Sequence, residues 1–287
     1  MNTLAKPRDF HAAGELVAWP LQKSKTSLNG FWARGARLQP GLLLFVHGMG
    51  SNFYRSRLKK EFMLQCGRLG FDALLFNNRG AEDGTIDERF SDCLEDLDAA
   101  LLFGRRQGYR RFVLIGHSTG CQKSVYYQSR RQRSDIKALV LLSPADDHAL
   151  CRRDLGKRFA SQVRKARNMV ELGMGHQLVQ GLYETFSARR FLSVADPRQA
   201  EAGIFHYHGP LAHFRKIQTP MLAVFGSREE YAILPPAKML EILQQRSRSS
   251  HFDTLLIPEG DHSFHGLEES AVRQVLAWAK AQAETGR

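Results

Sequence analysis

Phe112-Val-Leu-Ile-Gly-His-Ser-Thr-Gly-Cys-Gln122 decides how this chain is read. Residues 112–115 form a short, continuous apolar run, as a strand buried on both faces does. The run breaks on Gly116-His117-Ser118-Thr119-Gly120, which fits G-x-S-x-G, and residues 119–131 read as a helix. A serine on a sharp strand-to-helix turn has a strained backbone, so its neighbours two positions away must be small. Gly116 and Gly120 meet that need. The turn lifts the Ser118 hydroxyl above the edge of a sheet. The next amide, that of Thr119, then points to where an oxyanion would form. The bland alternative is a glycine-flanked turn with no chemistry.

The same alternation extends outward. Gly41-Leu-Leu-Leu-Phe-Val46 reads as a buried strand, 55–68 as a helix, 71–76 as a strand and 92–103 as a helix. Residues 136–142, 220–225 and 253–257 read as further strands, with helices over 236–245 and 267–283. Residues 14–40 suggest a short strand pair. Strand–helix alternation predicts an α/β fold with a mostly parallel sheet flanked by helices. Residues 151–219 lack the alternation and contain several helical stretches. The expected organisation is a core of residues 1–150 and 220–287 with a helical cap, 151–219. The cap would cover the strand ends where open α/β sheets bind ligands.

His47-Gly48-Met49-Gly50 follows the first strong strand. It reads as an oxyanion loop, with the Met49 amide as a second donor facing the oxyanion. A dinucleotide fingerprint would need glycine at 53, where Phe53 stands. A serine hydroxyl needs a base to act at neutral pH. Among 11 histidines, His262 in Pro258-Glu-Gly-Asp-His-Ser-Phe264 is best placed, after the last strand and before the last helix. His265 is the runner-up. The acid that orients the base is expected after the preceding strand, at Glu229. Glu230, Asp146 and Asp147 are alternatives. Asp261 adjoins His262 too closely in sequence to reach that ring's Nδ1.

Lys and Arg number 41 against 29 Asp and Glu, a net charge of +12, and 43% of the 287 residues are hydrophobic. This is a globular composition. The basic pairs Arg105-Arg106 and Arg130-Arg131 close helices, where cations suit the macrodipole. With no exposed aromatic stripe beside them, no nucleic-acid partner is expected. Residues 151–219 alone carry 12 Lys and Arg against 5 Asp and Glu. That placement suits the steering of an anionic or oxygen-rich small molecule. Cys66, Cys93, Cys121 and Cys151 form no CxxC and read as reduced thiols. Residues 1–10 show no apolar signal region, and no apolar run nears the roughly 18–20 residues of a membrane helix. The expected location is cytoplasmic. His206 and His208 would share one face of a strand, but no nearby carboxylate or thiol completes a metal set, so no metal is expected. Phe53, Tyr54, Met169, Met174 and Tyr183 are candidate contacts for an acyl group, or plain core.

Together these residues resemble the α/β-hydrolase superfamily over residues 40–283, most specifically at 116–120, 47–50 and 260–264. Gly-His-Ser-Thr-Gly-Cys-Gln122, Leu142-Ser-Pro-Ala-Asp-Asp147 and Ser187-Ala-Arg-Arg-Phe-Leu-Ser193 are further similar to a little-characterised hydrolase family that includes fungal siderophore esterases. The resemblance implies a serine carboxylesterase with a Ser118–His262–acid triad, an acyl-enzyme, no cofactor and a bulky ester substrate. The chain departs from the superfamily's usual pattern in carrying Glu229 where Asp is commoner. Acyl transfer, thioester or amide cleavage, and non-catalytic binding of an anionic ligand are the rival readings.

Overall fold

The structure is a computed structural model and describes residues 9–35, 38–180 and 185–285. Strands β1 (Gly14–Pro20), β2 (Ser27–Ala33) and β3 (Gly41–Val46) lead into helix α1 (Arg57–Gln65). Then come β4 (Phe71–Phe76), α2 (Cys93–Arg106), β5 (Phe112–His117), α3 (Thr119–Arg131) and β6 (Ile136–Leu142). An insertion follows: α4 (Asp147–Leu155), α5 (Phe159–Glu171), the hairpin β7 (Leu178–Gln180) and β8 (Thr185–Ser187), α6 (Ala188–Ala195) and α7 (Ala200–Ile204). The chain ends with β9 (Met221–Gly226), α8 (Pro236–Arg246), β10 (Phe252–Ile257) and α9 (Glu268–Thr285).

Eight strands form one sheet in the order β1-β2-β4-β3-β5-β6-β9-β10. β2 pairs antiparallel with both neighbours, and the pairs from β4 to β10 are parallel. The predicted strand pair in residues 14–40 is β1 and β2, registered Gly14 against Ala33. The continuous apolar runs have a simple cause. Side chains alternate between faces, and each face is covered by helices, so both sets must be apolar. Leu42, Leu44 and Val46 of β3 join a core with Leu97 and Leu101 of α2, Val125 of α3 and Leu243 of α8. Leu43 and Phe45 point the other way, into a core with Leu58 and Phe62 of α1 and Val272 and Leu276 of α9.

The insertion has its own core, built on Leu150, Leu155, Val163, Phe186, Phe191 and Val194. Its last part does not stay apart: Ile204, Phe205, Tyr207, Leu211, Phe214 and Ile217 pack into the main core beside α3. The strand expected around His206 and His208 is absent; these residues lie in turns after α7. His206 does meet a carboxylate, Asp146, with Nδ1 3.2 Å from Oδ2. Sequence proximity could not show this, because 60 positions separate the two. No group of three or more metal-ligating side chains occurs among the described residues. All four cysteines are free and buried. Among the described residues no helix is long and apolar enough to cross a membrane.

Candidate active site

Five loops at the carboxyl ends of β3, β5, β6, β9 and β10 meet around Ser118. Ser118 has φ 55° and ψ −129°, a backbone geometry rarely adopted outside glycine. Its amide donates to Leu142 O of β6 (2.9 Å), and its carbonyl accepts from Cys121 N (2.8 Å). The flanking glycines make this turn possible. A Cβ on Gly116 would lie 2.5 Å from Gly120 O, and one on Gly120 would overlap Val46 O. Gly48 presses in from the β3 side, where a Cβ would stand 2.8 Å from Ser118 Cβ and 3.3 Å from its Oγ.

His262 lies on the opposite side, after β10. Its Nδ1 is 2.7 Å from Glu229 Oε1. The Glu229 side chain is 1% exposed, and the same oxygen accepts from Tyr231 N at 3.1 Å. A carboxylate only accepts, so Nδ1 carries a proton, and in the neutral ring Nε2 is the nitrogen that keeps a lone pair. Glu229 Oε2 is buried without a hydrogen-bond partner among the described residues. Several contacts fix the backbone of His262. Its carbonyl accepts from His117 Nε2 (2.9 Å) and Ser143 Oγ (3.1 Å), and its amide donates to Glu230 Oε2 (2.9 Å). The Tyr231 ring stands edge-on to the imidazole at 4.6 Å. Burial first, and then the nearby His262, lower the His117 pKa to about 3, so His117 is neutral.

The loops after β9 and β10 are joined to each other. Arg228 N donates to Gly260 O (2.8 Å), Ser227 N to Ile257 O (2.9 Å) and Glu259 N to Ser227 Oγ (2.8 Å). A Cβ on Gly226 would overlap the Gly260 carbonyl.

Ser118 and His262 open onto one pocket of about 210 Å³. Gly48, Met49 and Ser51 wall it from the β3 side. His117 and Thr119 flank the serine, and Ala145, Asp147 and Tyr231 close the rest. The expected Ser118, His262, Glu229, Met49 and Thr119 are thus brought together. The alternatives have other partners. Glu230 binds a backbone amide. Asp146 caps α4 through Ala149 N and holds His206. His265 pairs with Asp261 and is largely exposed. Asp147 is the exception, since it lines the pocket. Its Oδ2 accepts from Gln122 Nε2 (2.9 Å) and Thr119 Oγ1 (3.3 Å). Burial and the nearby Glu201 raise its pKa to about 7. No local sequence signal marks this environment, because Glu201 reaches Asp147 from 54 positions away. Phe53, Tyr54, Met169 and Met174 do not line the pocket. Phe53 packs on the α1–α9 core and Met169 on the insertion core, while Tyr183 lies outside the described residues.

A hydroxyl at a strained turn, an imidazole with a free lone pair and a buried carboxylate on its far nitrogen can together deprotonate an alcohol. Comparison with solved structures finds the same architecture. The siderophore hydrolase EstB from Aspergillus fumigatus superimposes with a TM-score of 0.72 at 16% identity, over 94% of this chain and 98% of its own. A monoglyceride lipase from Saccharomyces cerevisiae gives 0.69 at 15% identity, over 96% and 98%. Est1E from Butyrivibrio proteoclasticus gives 0.65 at 17%, over 95% and 100%. At such identities the likeness speaks for the fold alone. A sequence comparison with curated proteins gives no match. The sequence pattern of one family spans residues 43–278, most of the chain and every loop of the pocket; the protein belongs to the alpha/beta hydrolase family.

Proposed function

We propose that this chain is a serine hydrolase of carboxylic esters that works through an acyl-enzyme. The observation that carries the reading is the 2.7 Å contact between His262 Nδ1 and the buried Glu229 carboxylate, in the loops that share a pocket with Ser118. Ser118 Oγ attacks the ester carbonyl carbon while its proton passes to His262 Nε2. Glu229 balances the charge of the resulting imidazolium. The carbonyl oxygen becomes an oxyanion, received by the amides of Met49 and Thr119 at the head of α3. Losing one such donor costs about 10²–10³ in rate. The tetrahedral species then collapses. The alcohol leaves with the proton from His262, and water, deprotonated by the same imidazole, releases the acid and restores Ser118. None of these steps calls for a metal or organic cofactor.

On this reading residues 151–219 are a cap over the catalytic core of 1–150 and 220–287. A pocket of about 210 Å³ holds the reacting ester and short flanks, so a bulkier substrate would extend beneath the cap. The names of the structural neighbours, a siderophore hydrolase and a monoglyceride lipase, fit ester chemistry without choosing an acyl group. The cap's excess of cations favours anionic esters. Their kcat/KM is expected to fall with salt more steeply than that of neutral esters; equal salt responses would remove the steering idea. The decisive test is Ser118→Ala. It is expected to abolish ester turnover, by about 10⁶-fold in kcat, and to abolish fluorophosphonate labelling. Survival of both would overturn the assignment.

A further inference from the structure

Behind the Gly48–Met49 wall of the pocket runs a chain of buried polar groups that the mechanism above leaves unused. It begins at His47, which is fully buried. The Asn78 amide N–H points at His47 Nε2, 3.2 Å away. An amide N–H can only donate, so Nε2 accepts and the proton rests on Nδ1. Nδ1 in turn donates to Gly48 O at 2.8 Å, and Ser51 N donates to the same carbonyl at 3.3 Å. The peptide joining Gly48 to Met49 is planar and trans. Fixing the direction of its C=O therefore fixes the Met49 N–H in the opposite direction.

Asn78 is held from behind. Its Oδ1 accepts from Lys123 Nζ (2.9 Å) and Gly80 N (3.1 Å). Lys123 belongs to α3, and its Nζ pairs with Glu88 Oε1 at 2.5 Å. Glu88 Oε2 lies 3.7 Å from Arg190 of α6. Arg190 grips Glu201 of α7 with two nitrogens, at 2.5 and 2.9 Å, and Ser193 Oγ adds a 2.6 Å bond to the same carboxylate. Two cations and two anions, none with a side chain more than 2% exposed, thus join the insertion to the core. The packing is tight enough that a Cβ on Gly80 would overlap the Glu88 carboxylate.

Buried ion pairs add little net stability over apolar side chains of the same volume. Three of them, sharing four charged side chains in one place, call for a role other than holding the fold. We propose that the buried chain Arg190–Glu88–Lys123–Asn78–His47 is a positioning relay. It aims the Met49 amide and so couples the seating of α6 and α7 to stabilisation of the transition state. Lys123, Glu88 and Arg190 are positioning residues, since they touch neither the pocket nor the reacting atoms. Burial, and then the Lys123 charge, hold the His47 pKa well below its ordinary value. The ring keeps Nε2 as an acceptor for that reason; protonation would set two donors against each other. Burial pushes the Glu88 carboxyl up, but Lys123 and Arg190 outweigh it and keep it ionised.

The inference rests on the hydrolase reading, and the test separates the two. Removing one charge leaves its partner buried and unpaired, so the principal variant is the charge-balanced pair Lys123→Met with Glu88→Gln. The readouts are kcat, KM, the affinity for an alkylboronic acid and the affinity for a product carboxylic acid. The boronic acid forms a tetrahedral adduct on Ser118 that fills the oxyanion position. The folded double variant is expected to lose about 10- to 100-fold in kcat, short of the loss of a whole donor. Boronate affinity should fall in step, while KM and product affinity stay near wild type. If the double variant does not fold, Arg190→Lys carries the same readouts, with an expected loss of about 2- to 30-fold. A folded variant with unchanged kcat and boronate affinity overturns the relay, whatever its melting temperature. A wild-type chain that neither labels with fluorophosphonate nor turns over esters overturns the hydrolase reading, and the relay with it.

Discussion

His262 faces the pocket across from the Gly48–Met49 wall, and His47 lies behind that wall; the surroundings of the two rings differ at every atom that matters. His262 sets Nδ1 against the Glu229 carboxylate, a partner that grows more favourable when the ring takes a proton. His47 sets Nδ1 against the Gly48 carbonyl, with Lys123 close enough to oppose any added charge. One imidazole is furnished to become a cation, and the other is kept from becoming one. On the proposed mechanism the same side chain therefore serves as a base on one wall and, in the proposed relay, as a post on the other. The group bonded to Nδ1 distinguishes the two.

Removing each ring in turn separates the two histidines most directly. His262→Ala is expected to cost about 10⁶-fold in kcat, as loss of a general base does. His47→Gln should cost no more than about 10²–10³-fold, the worth of an oxyanion donor. Equal losses would show that His47 is more than a post. The neighbouring glutamates sharpen the point. Glu229→Gln is expected to lower kcat by about 10⁴-fold, because the amide can present its NH₂ to Nδ1 and favour the wrong tautomer. Glu230 accepts from the backbone amide of His262, while Glu229 takes the ring nitrogen. Glu230→Gln should therefore leave kcat within about tenfold, well inside the single-donor cost.

A smaller effect concerns a third histidine and stability rather than rate. His117 is buried and neutral, its pKa lowered to about 3 from the ordinary 6.5. Between those values the unfolded chain binds more protons than the folded one, so stability falls as pH drops from about 6.5 toward 3. Above 6.5 the contribution is fully present. Melting temperatures measured across this window should fall less steeply for His117→Asn than for wild type. Parallel curves would show that His117 is not the group being titrated.

How legible all this was depended on how local each signal is. The strands declared themselves because both faces of β3, β4 and β5 are covered, which leaves largely apolar runs, broken in β4 only by Asp72, whose carboxylate is met by the Tyr109 hydroxyl. Ser118 was legible because its turn needs glycines on both sides within five residues. Glu229 and His262 followed from their places after consecutive parallel strands, β9 and β10. The buried relay left no comparable trace. Glu88, Lys123, Arg190 and Glu201 come from four segments scattered along the chain. A lysine within the basic residues of α3 reads as surface, yet this one is wholly buried. His206 misled for the opposite reason. Its i, i+2 spacing with His208 imitates a strand, while the chain there turns and Asp146 arrives from far away.

The approach of Gly226 to Gly260 bears on how this site can be altered. With no room for a single Cβ between them, the β9 and β10 loops abut backbone to backbone and share hydrogen bonds donated by backbone amides. Glu229 and His262 are thus mounted on one bracket. A graft that swaps only the Glu229 loop would arrive with its hydrogen bonds facing the wrong partner. Both loops would have to be transplanted together, and for a designer they form a single exchangeable part.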